Sequence, residues 1–261
     1  MLRTAYFFDG GDFVDVYSAA LAAAWDPTKF TIPIWVQITD AAVWADAANR
    51  RFLRLAVDAN NSVALDKGTT ANQVRFIYQA GGTLDIVNDT SLAATTDWFL
   101  MTITVDTVAD ELKAHLNDAQ VGTTQGTLGT WAGSLSSTNC VLGAGNTSVA
   151  NPHKGLLAHA AVLPGTVLTL AQIAAIYNAT TGGMRETIMS YAPAAYWMLA
   201  ENSGTVAASQ TGSSYDGVLG TGAAVPTLGL PGVDTATLGA LFTRPESQIL
   251  HAGYESSVVS A

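Results

Sequence analysis

The sequence predicts an all-β chain, a sandwich of two antiparallel sheets with one short helix near residues 169–178. Three observations carry this. Short runs of alternating apolar residues recur at roughly ten-residue intervals, broken by Gly, Asn, Asp and Pro, as strands joined by tight turns require. Of 261 residues, 49% are hydrophobic, only 12% are charged and 24 are glycine. Thr, Ala and Gly are abundant and Lys and Glu scarce, which favours strands over long surface helices. Finally, the run from Gly155 ends at Pro164-Gly165, after which Thr169 precedes Leu170, Ile173, Ala174 and Tyr177 at helical spacing. This is strand, turn and capped amphipathic helix. Such a helix is expected to lie across a sheet and close an open end of the core.

The elements follow in order. Residues 5–17 read as strand, turn at Asp9-Gly10-Gly11 and strand, with Phe13 and Asp15 opposite Val14 and Val16. Residues 18–25 are Ala-rich and fit one helical turn. Lys29 to Thr39 puts Phe30, Ile32, Ile34, Val36 and Ile38 on one face and Trp35 on the other. Pro33 inside this run, lacking an N–H, argues for an edge or bulged position. Residues 41–51 fit either a short helix or a loop carrying Trp44 across the sheet. Residues 52–58 and 63–65 flank a turn at Asn60-Asn61. Residues 74–78 and 84–87 flank Gly81-Gly82. Trp98 to Asp106 alternates most strongly, and Glu111 to Leu116 pairs with Val121 across Asn117-Asp118, two residues that tolerate positive φ. Cys140 to Leu142 precedes a glycine-rich loop. In the strand from Gly155, Leu157, His159 and Ala161 are expected on one face. After Tyr177 the texture changes: residues 188–199 are aromatic and apolar, and 200–240 are rich in Gly, Ser, Thr and Ala.

The net charge of −10 speaks against a nucleic-acid partner, which needs a basic face, and against an acidic membrane surface. No run of about twenty apolar residues predicts a membrane span. Cys140 is the single cysteine, so no internal disulfide forms. No signal-peptide core follows Met1, so the chain is expected to be made in the host cytoplasm without a secretion signal.

Four stretches resemble the concanavalin A-like lectin/glucanase jelly roll, which includes laminin G-like domains. Phe8-Asp9-Gly10-Gly11-Asp12-Phe13-Val14-Asp15-Val16 resembles its opening hairpin, and Phe30 to Val36 its F-T-I-x-x-W-V strand. Trp98 to Gly122 resembles its W-x-h-x-x-T-x-D hairpin, with Asp118 in place of the usual Gly and His115 in place of an aromatic. Gly155 to Tyr177 resembles its closing strand and helix. A fifth piece is out of order. Ala195-Tyr196-Trp197-Met198-Leu199-Ala200-Glu201-Asn202-Ser203-Gly204 and then Asp216 to Gly220 resemble a segment that precedes the F-D-G hairpin in phage proteins of this type. Leu230-Pro231-Gly232 and Leu241-Phe242 continue that series. The resemblance implies a jelly roll over residues 1–180. It also implies a circular permutation in which 181–243 supplies the leading strands. That segment could act in cis, complete a neighbouring subunit, or form a partly ordered tail; the aromatic run Tyr191–Trp197 argues against the tail. Residues 244–261, with Ile249, Leu250, Tyr254, Val258 and Val259, are a candidate subunit contact.

A glucanase of this fold would carry E-x-D-x-x-E on one strand so that paired carboxylates attack and protonate. No such triplet exists; Asp85 and Asp89 come nearest. Asp9, Asp12 and Asp15 form the densest acidic cluster, a candidate calcium site because calcium takes several carboxylate oxygens; the alternative is that they serve the turn. Asp58, Asn60, Asn61 and Asp66 are a weaker cation candidate. His115, His153, His159 and His251 have no metal-ligand spacing, and His159 reads as a satisfied core residue. Cys140 reads as a small hydrophobe. Gly143-Ala144-Gly145 is not followed by Lys-Ser/Thr and is no phosphate loop. Of six tryptophans, Trp35, Trp98 and Trp197 sit inside strands, which leaves Trp25, Trp44 and Trp131 as candidates for stacking on a sugar or at an interface. The resemblance to phage proteins implies a non-enzymatic virion protein, a capsid or tail component and homo-oligomer that could bind surface carbohydrate. A cellular adhesin and a polysaccharide depolymerase are the alternatives.

Overall fold

The computed structural model describes residues 4–179, 183–220 and 226–231. Strands β1 (Thr4–Phe8) and β2 (Val14–Asp15) precede helix α1 (Ala19–Ala24), β3 (Lys29–Gln37) and helix α2 (Ala42–Ala45). Then come β4 (Arg50–Ala56), β5 (Ser62–Lys67), β6 (Val74–Ala80), β7 (Thr83–Asp89), β8 (Phe99–Asp106), β9 (Glu111–Leu116) and β10 (Ala119–Gln125). They are followed by β11 (Val141–Leu142), β12 (Gly155–Ala158), β13 (Ala160–Pro164) and helices α3 (Leu170–Tyr177) and α4 (Gly183–Met189). Four late strands close the described chain: β14 (Ala195–Trp197), β15 (Val206–Ala207), β16 (Gly217–Leu219) and β17 (Thr227–Pro231).

The strands form two antiparallel sheets stacked as a sandwich. The first has the order β10-β9-β8-β3-β12-β1-β17, with β13 bridging β3 and β14. The second has the order β15-β16-β2-β11-β4-β5-β6-β7. Between them, Phe30, Ile32, Ile34 and Val36 of β3 meet Phe52, Leu55, Leu65 and Phe76 of the second sheet in one apolar core. Burying a side chain of this size contributes about 1.5–3 kcal/mol.

The late strands complete both sheets within the one chain. β16 pairs with β2 through Val218↔Asp15 and Leu219↔Val14, and β14 pairs with β13. Tyr6 donates to Glu201 Oε2 at 2.6 Å, and the Trp197 indole N–H reaches the Tyr215 carbonyl at 2.8 Å. Of the series expected to continue this segment, Gly232, Leu241 and Phe242 lie outside the described residues, as does the 244–261 tail.

Three expectations change. Residues 5–17 are not a hairpin: β1 pairs in the first sheet and β2 in the second, so Asp9–Phe13 is a corner between sheets. The buried Asp12 carboxylate fixes that corner by accepting the Asp9 amide at 2.7 Å. Next, His159 is a one-residue bulge with φ +50°. Between the pairs Ala158↔Trp35 and Leu163↔Thr31 the chain takes five steps against four on β3. The bulge reverses the alternation, so Leu157 shares the core with Ala160 and Val162 instead of with Ala161. It also explains Pro33, which lies on a central strand but faces the interrupted stretch, where no ladder N–H is needed. Finally, α3 does not close the end of the core. Thr169 and Gln172 cap it reciprocally, and Ile173 and Ile176 pack, with Met184 and Ile188 of α4, on the outer face of the first sheet against Trp35, Leu100 and Tyr196. The first sheet is therefore buried on both faces along β3, β8, β12 and β13.

Candidate functional site

The second sheet keeps an open outer face over β4–β7. Cross-strand register arranges that face in rows. Arg54, Ala64, Ile77 and Ile86 form one row; Arg51, Asp66, Arg75 and Asn88 form the next; Ser62, Gln79 and Leu84 lie on the other side. Arg51 and Arg54 are three residues apart, which strict alternation would place on opposite faces. A register shift between Arg51 and Leu53 puts both outside, while Phe52 and Leu53 both enter the core. Small Ser62 beside long neighbours leaves a solvent-open hollow of about 350 Å³, bordered by Arg51, Arg54, Arg75, Ile77 and Gln79.

Below the hollow, Asp66 is 0% exposed. Arg75 holds it in a two-pronged bridge, Nε–Oδ1 at 2.7 Å and Nη2–Oδ2 at 2.8 Å, and Arg51 Nη1 lies 3.3 Å from Oδ2. Such forks are the stronger class of charged hydrogen bond. Arg75 also donates to Asn49 Oδ1 at 2.8 Å. Arg54 reaches only carbonyls, Gly145 at 3.0 Å and Asp58 at 3.2 Å. The Arg51 Nε–H is buried with no acceptor. Burial pulls the Arg51 guanidinium below its ordinary range, with the neighbouring Arg54 and Arg75 charges adding to the effect and Asp66 opposing it. Burial also lowers Arg54, against the pull of Cys140 and Asp58. No acidic side chain lines the hollow.

A sequence model of the concanavalin A-like lectin/glucanases superfamily matches residues 8–174. The chain belongs to that superfamily. A candidate carbohydrate-binding protein from Bacteroides ovatus superposes with a TM-score of 0.61 at 15% identity, covering 89% of this chain and 61% of that one. The chain thus spans about six tenths of that protein. The carbohydrate-binding module CBM40 of the Ruminococcus gnavus IT-sialidase, bound to α2,3-sialyllactose, gives 0.53 at 14% identity over 68% of this chain and 98% of the module. The binding domain of botulinum neurotoxin serotype D gives 0.50 at 14%, over 67% of this chain and 42% of that domain. At these identities the likeness is one of fold. No curated protein matches the sequence.

Within this superfamily fold, the residues singled out from sequence fall elsewhere. Trp44 is 0% exposed, carried by α2 into the core beside Phe99, with its N–H on the Thr95 carbonyl. Trp25 is 9% exposed and packs on Phe30. Neither ring has a free face for a sugar, because both fill the ends of the sandwich core. Trp131 is half-buried and stacks on Tyr78 at 6.1 Å, edge-on to Trp25, as a cover over that end. None of the three lines the hollow.

The acidic candidates are turn acceptors. Asp9 Oδ1 takes the Gly11 amide, Asp12 the Asp9 amide and Asp15 the Tyr17 amide. Burial pushes Asp12 up to about 6 and raises Asp15. Asp58 Oδ1 closes its own loop on the Asn60 and Asn61 amides, far from the role of Asp66 under the arginines. Among the described residues, no three His, Cys, Asp or Glu side chains converge as metal ligands. His159 is buried and its Nδ1 lies 2.6 Å from the Tyr196 hydroxyl. Cys140 is buried, with its thiol pushed up to about 12 by burial, which makes it inert. Gly143 is glycine for packing: at φ +79° an added Cβ would sit 2.2 Å from the Phe8 ring.

The arginine face escaped the reading from sequence because the net charge directs attention away from cations. One local signal was present: five of the eleven Lys and Arg residues fall between positions 50 and 75.

Proposed function

We propose that the protein is a non-enzymatic carbohydrate-binding module whose ligand occupies the hollow on the outer face of β4–β7. The observation that carries this reading is the hollow itself, open to solvent and lined by hydrogen-bonding side chains on a rigid sheet. Sugar hydroxyls need donors and acceptors in fixed positions; Asn49, Ser62, Gln79 and the arginines supply them. The 52% exposed Leu84 offers apolar surface to the C–H faces of a ring. The likeness to CBM40, which binds sialyllactose, supports the same reading. Hydrolysis through paired carboxylates finds no acidic side chain in this lining, which favours binding over catalysis. Glycan-array screening is the test: a reproducible set of bound glycans, lost when Ser62→Trp fills the hollow, is expected. A clean array with folded protein would overturn the reading.

The setting we propose is a virion surface, as a homo-oligomeric capsid or tail component displaying this face. It rests on the likeness of residues 195–220 to segments of phage proteins. The protein should appear in mass spectra of purified particles at stoichiometric amounts; particles lacking it would rule that setting out.

A further inference from the structure

The hollow carries a charge imbalance that a neutral sugar does not need. Three guanidinium groups border it, and one carboxylate, Asp66, lies beneath them. Arg75 spends its fork on Asp66. Arg51 shares one Asp66 oxygen through a single nitrogen, and its Nε–H has no acceptor. Arg54 is held in place by two backbone carbonyls, one of them Gly145 in the glycine-rich loop, and by no carboxylate. The three guanidinium charges outnumber the carboxylates near them, Asp66 beneath and the exposed Asp58 beside Arg54, in a chain whose net charge is −10. Guanidinium groups already oriented and partly desolvated suit a planar, two-oxygen anion. Ile77 and Gln79 beside them, with small Ser62 between, leave room for a ring attached to that anion.

Resting on the reading that this hollow holds a glycan, we infer that its ligand is an acidic sugar, with the carboxylate bound between Arg51 and Arg54. Arg75 and Asp66 are positioning residues that hold Arg51. Terminal sialic acids and hexuronic acids share this chemistry, and the test separates them.

Binding is measured by calorimetry on the intact protein, with α2,3-sialyllactose against lactose and with a trigalacturonate against its methyl ester. At least one acid should bind at least about tenfold tighter than its neutral counterpart, the scale of one charge-assisted hydrogen bond, and that margin should shrink with added salt. Arg54→Gln should abolish the margin with only a small fall in melting temperature, because Arg54 gives up two carbonyl bonds and the exposed Asp58 beside it but no buried carboxylate. Arg51→Gln is the second variant, checked for folding by circular dichroism. Neutral glycans binding as tightly as acidic ones, or an acid preference that survives both variants, would overturn the inference and leave the carbohydrate reading standing. Binding of no glycan of either kind, on the array or here, would overturn both.

Discussion

The two outer faces of the sandwich are made by the same device and finish differently. On the first sheet, the residues alternating away from the core are Trp35, Leu100, Leu156 and Ala158, and α3 and α4 cover them. On the second, over β4–β7, they are Arg51, Arg54, Asp66, Arg75 and Gln79, and among the described residues no helix lies on them. An apolar outer face demands a cover, since leaving it wet forfeits its burial. A polar face does not, so it is the place where a ligand can reach a rigid β surface. The contrast assigns stability to one face and recognition to the other.

The harshest way to break this contrast is to end the chain at Tyr177. That removes α4 and the strands that pair with β13, β2 and β1. Loss of the cooperative unfolding transition in calorimetry is expected; a truncated chain as stable as the full one would contradict the cis pairing described here. Trp35→Ala, on the covered face, should cost about 3–5 kcal/mol in denaturant titration, since the ring is stacked on Tyr177 at 5.7 Å. Trp44→Ala should cost a similar amount through the core, and any effect on glycan binding should follow unfolding alone.

On the bare face the consequences are smaller and of another kind. Asp66→Ala strands Arg51 and Arg75 without their carboxylate, a loss of about 3 kcal/mol, against about 1 kcal/mol for Arg54→Gln, which gives up two carbonyl bonds. A stability loss in Arg54→Gln as large as that in Asp66→Ala would blur the division between faces.

The strands themselves could be read from sequence because period-two alternation in β3, β8 and β12 reports burial directly. What could not be read was decided by single-residue irregularities and by distance along the chain. The bulges at His159 and after Arg51 each shift a face by one residue, with no turn residue to announce them. The corner at Asp12 looks locally like a hairpin, and only the partners of β1 and β2, more than a hundred residues away, show otherwise. Tryptophans in irregular stretches invited a surface role, yet Trp25 and Trp44 are where short helices plug the core ends.

Between the faces, His153 gives a milder, pH-dependent check. It is fully buried between Phe8 and Phe52 with neither ring nitrogen bonded, and burial pushes its imidazole down to about 3. A folded value below the ordinary 6.5 means the neutral form is favoured in the fold. Its contribution is therefore complete above about pH 6.5 and declines as pH falls toward 3, by about 1.4 kcal/mol per unit. His153→Leu should remove that slope relative to the parent protein and be neutral or stabilising at pH 7, as denaturant midpoints across pH will show.

The most direct test of the division between the faces is a pair of amide NMR titrations of the full chain, one with α2,3-sialyllactose and one with trigalacturonate, read for whichever acid binds. Shifts confined to β4–β6, centred on Arg51, Arg54, Arg75 and Gln79, are predicted, with Trp35, Tyr177 and Trp131 unmoved. Shifts centred on the helix-covered face or on the Trp131 end of the sandwich, or no shifts at all, would contradict the account.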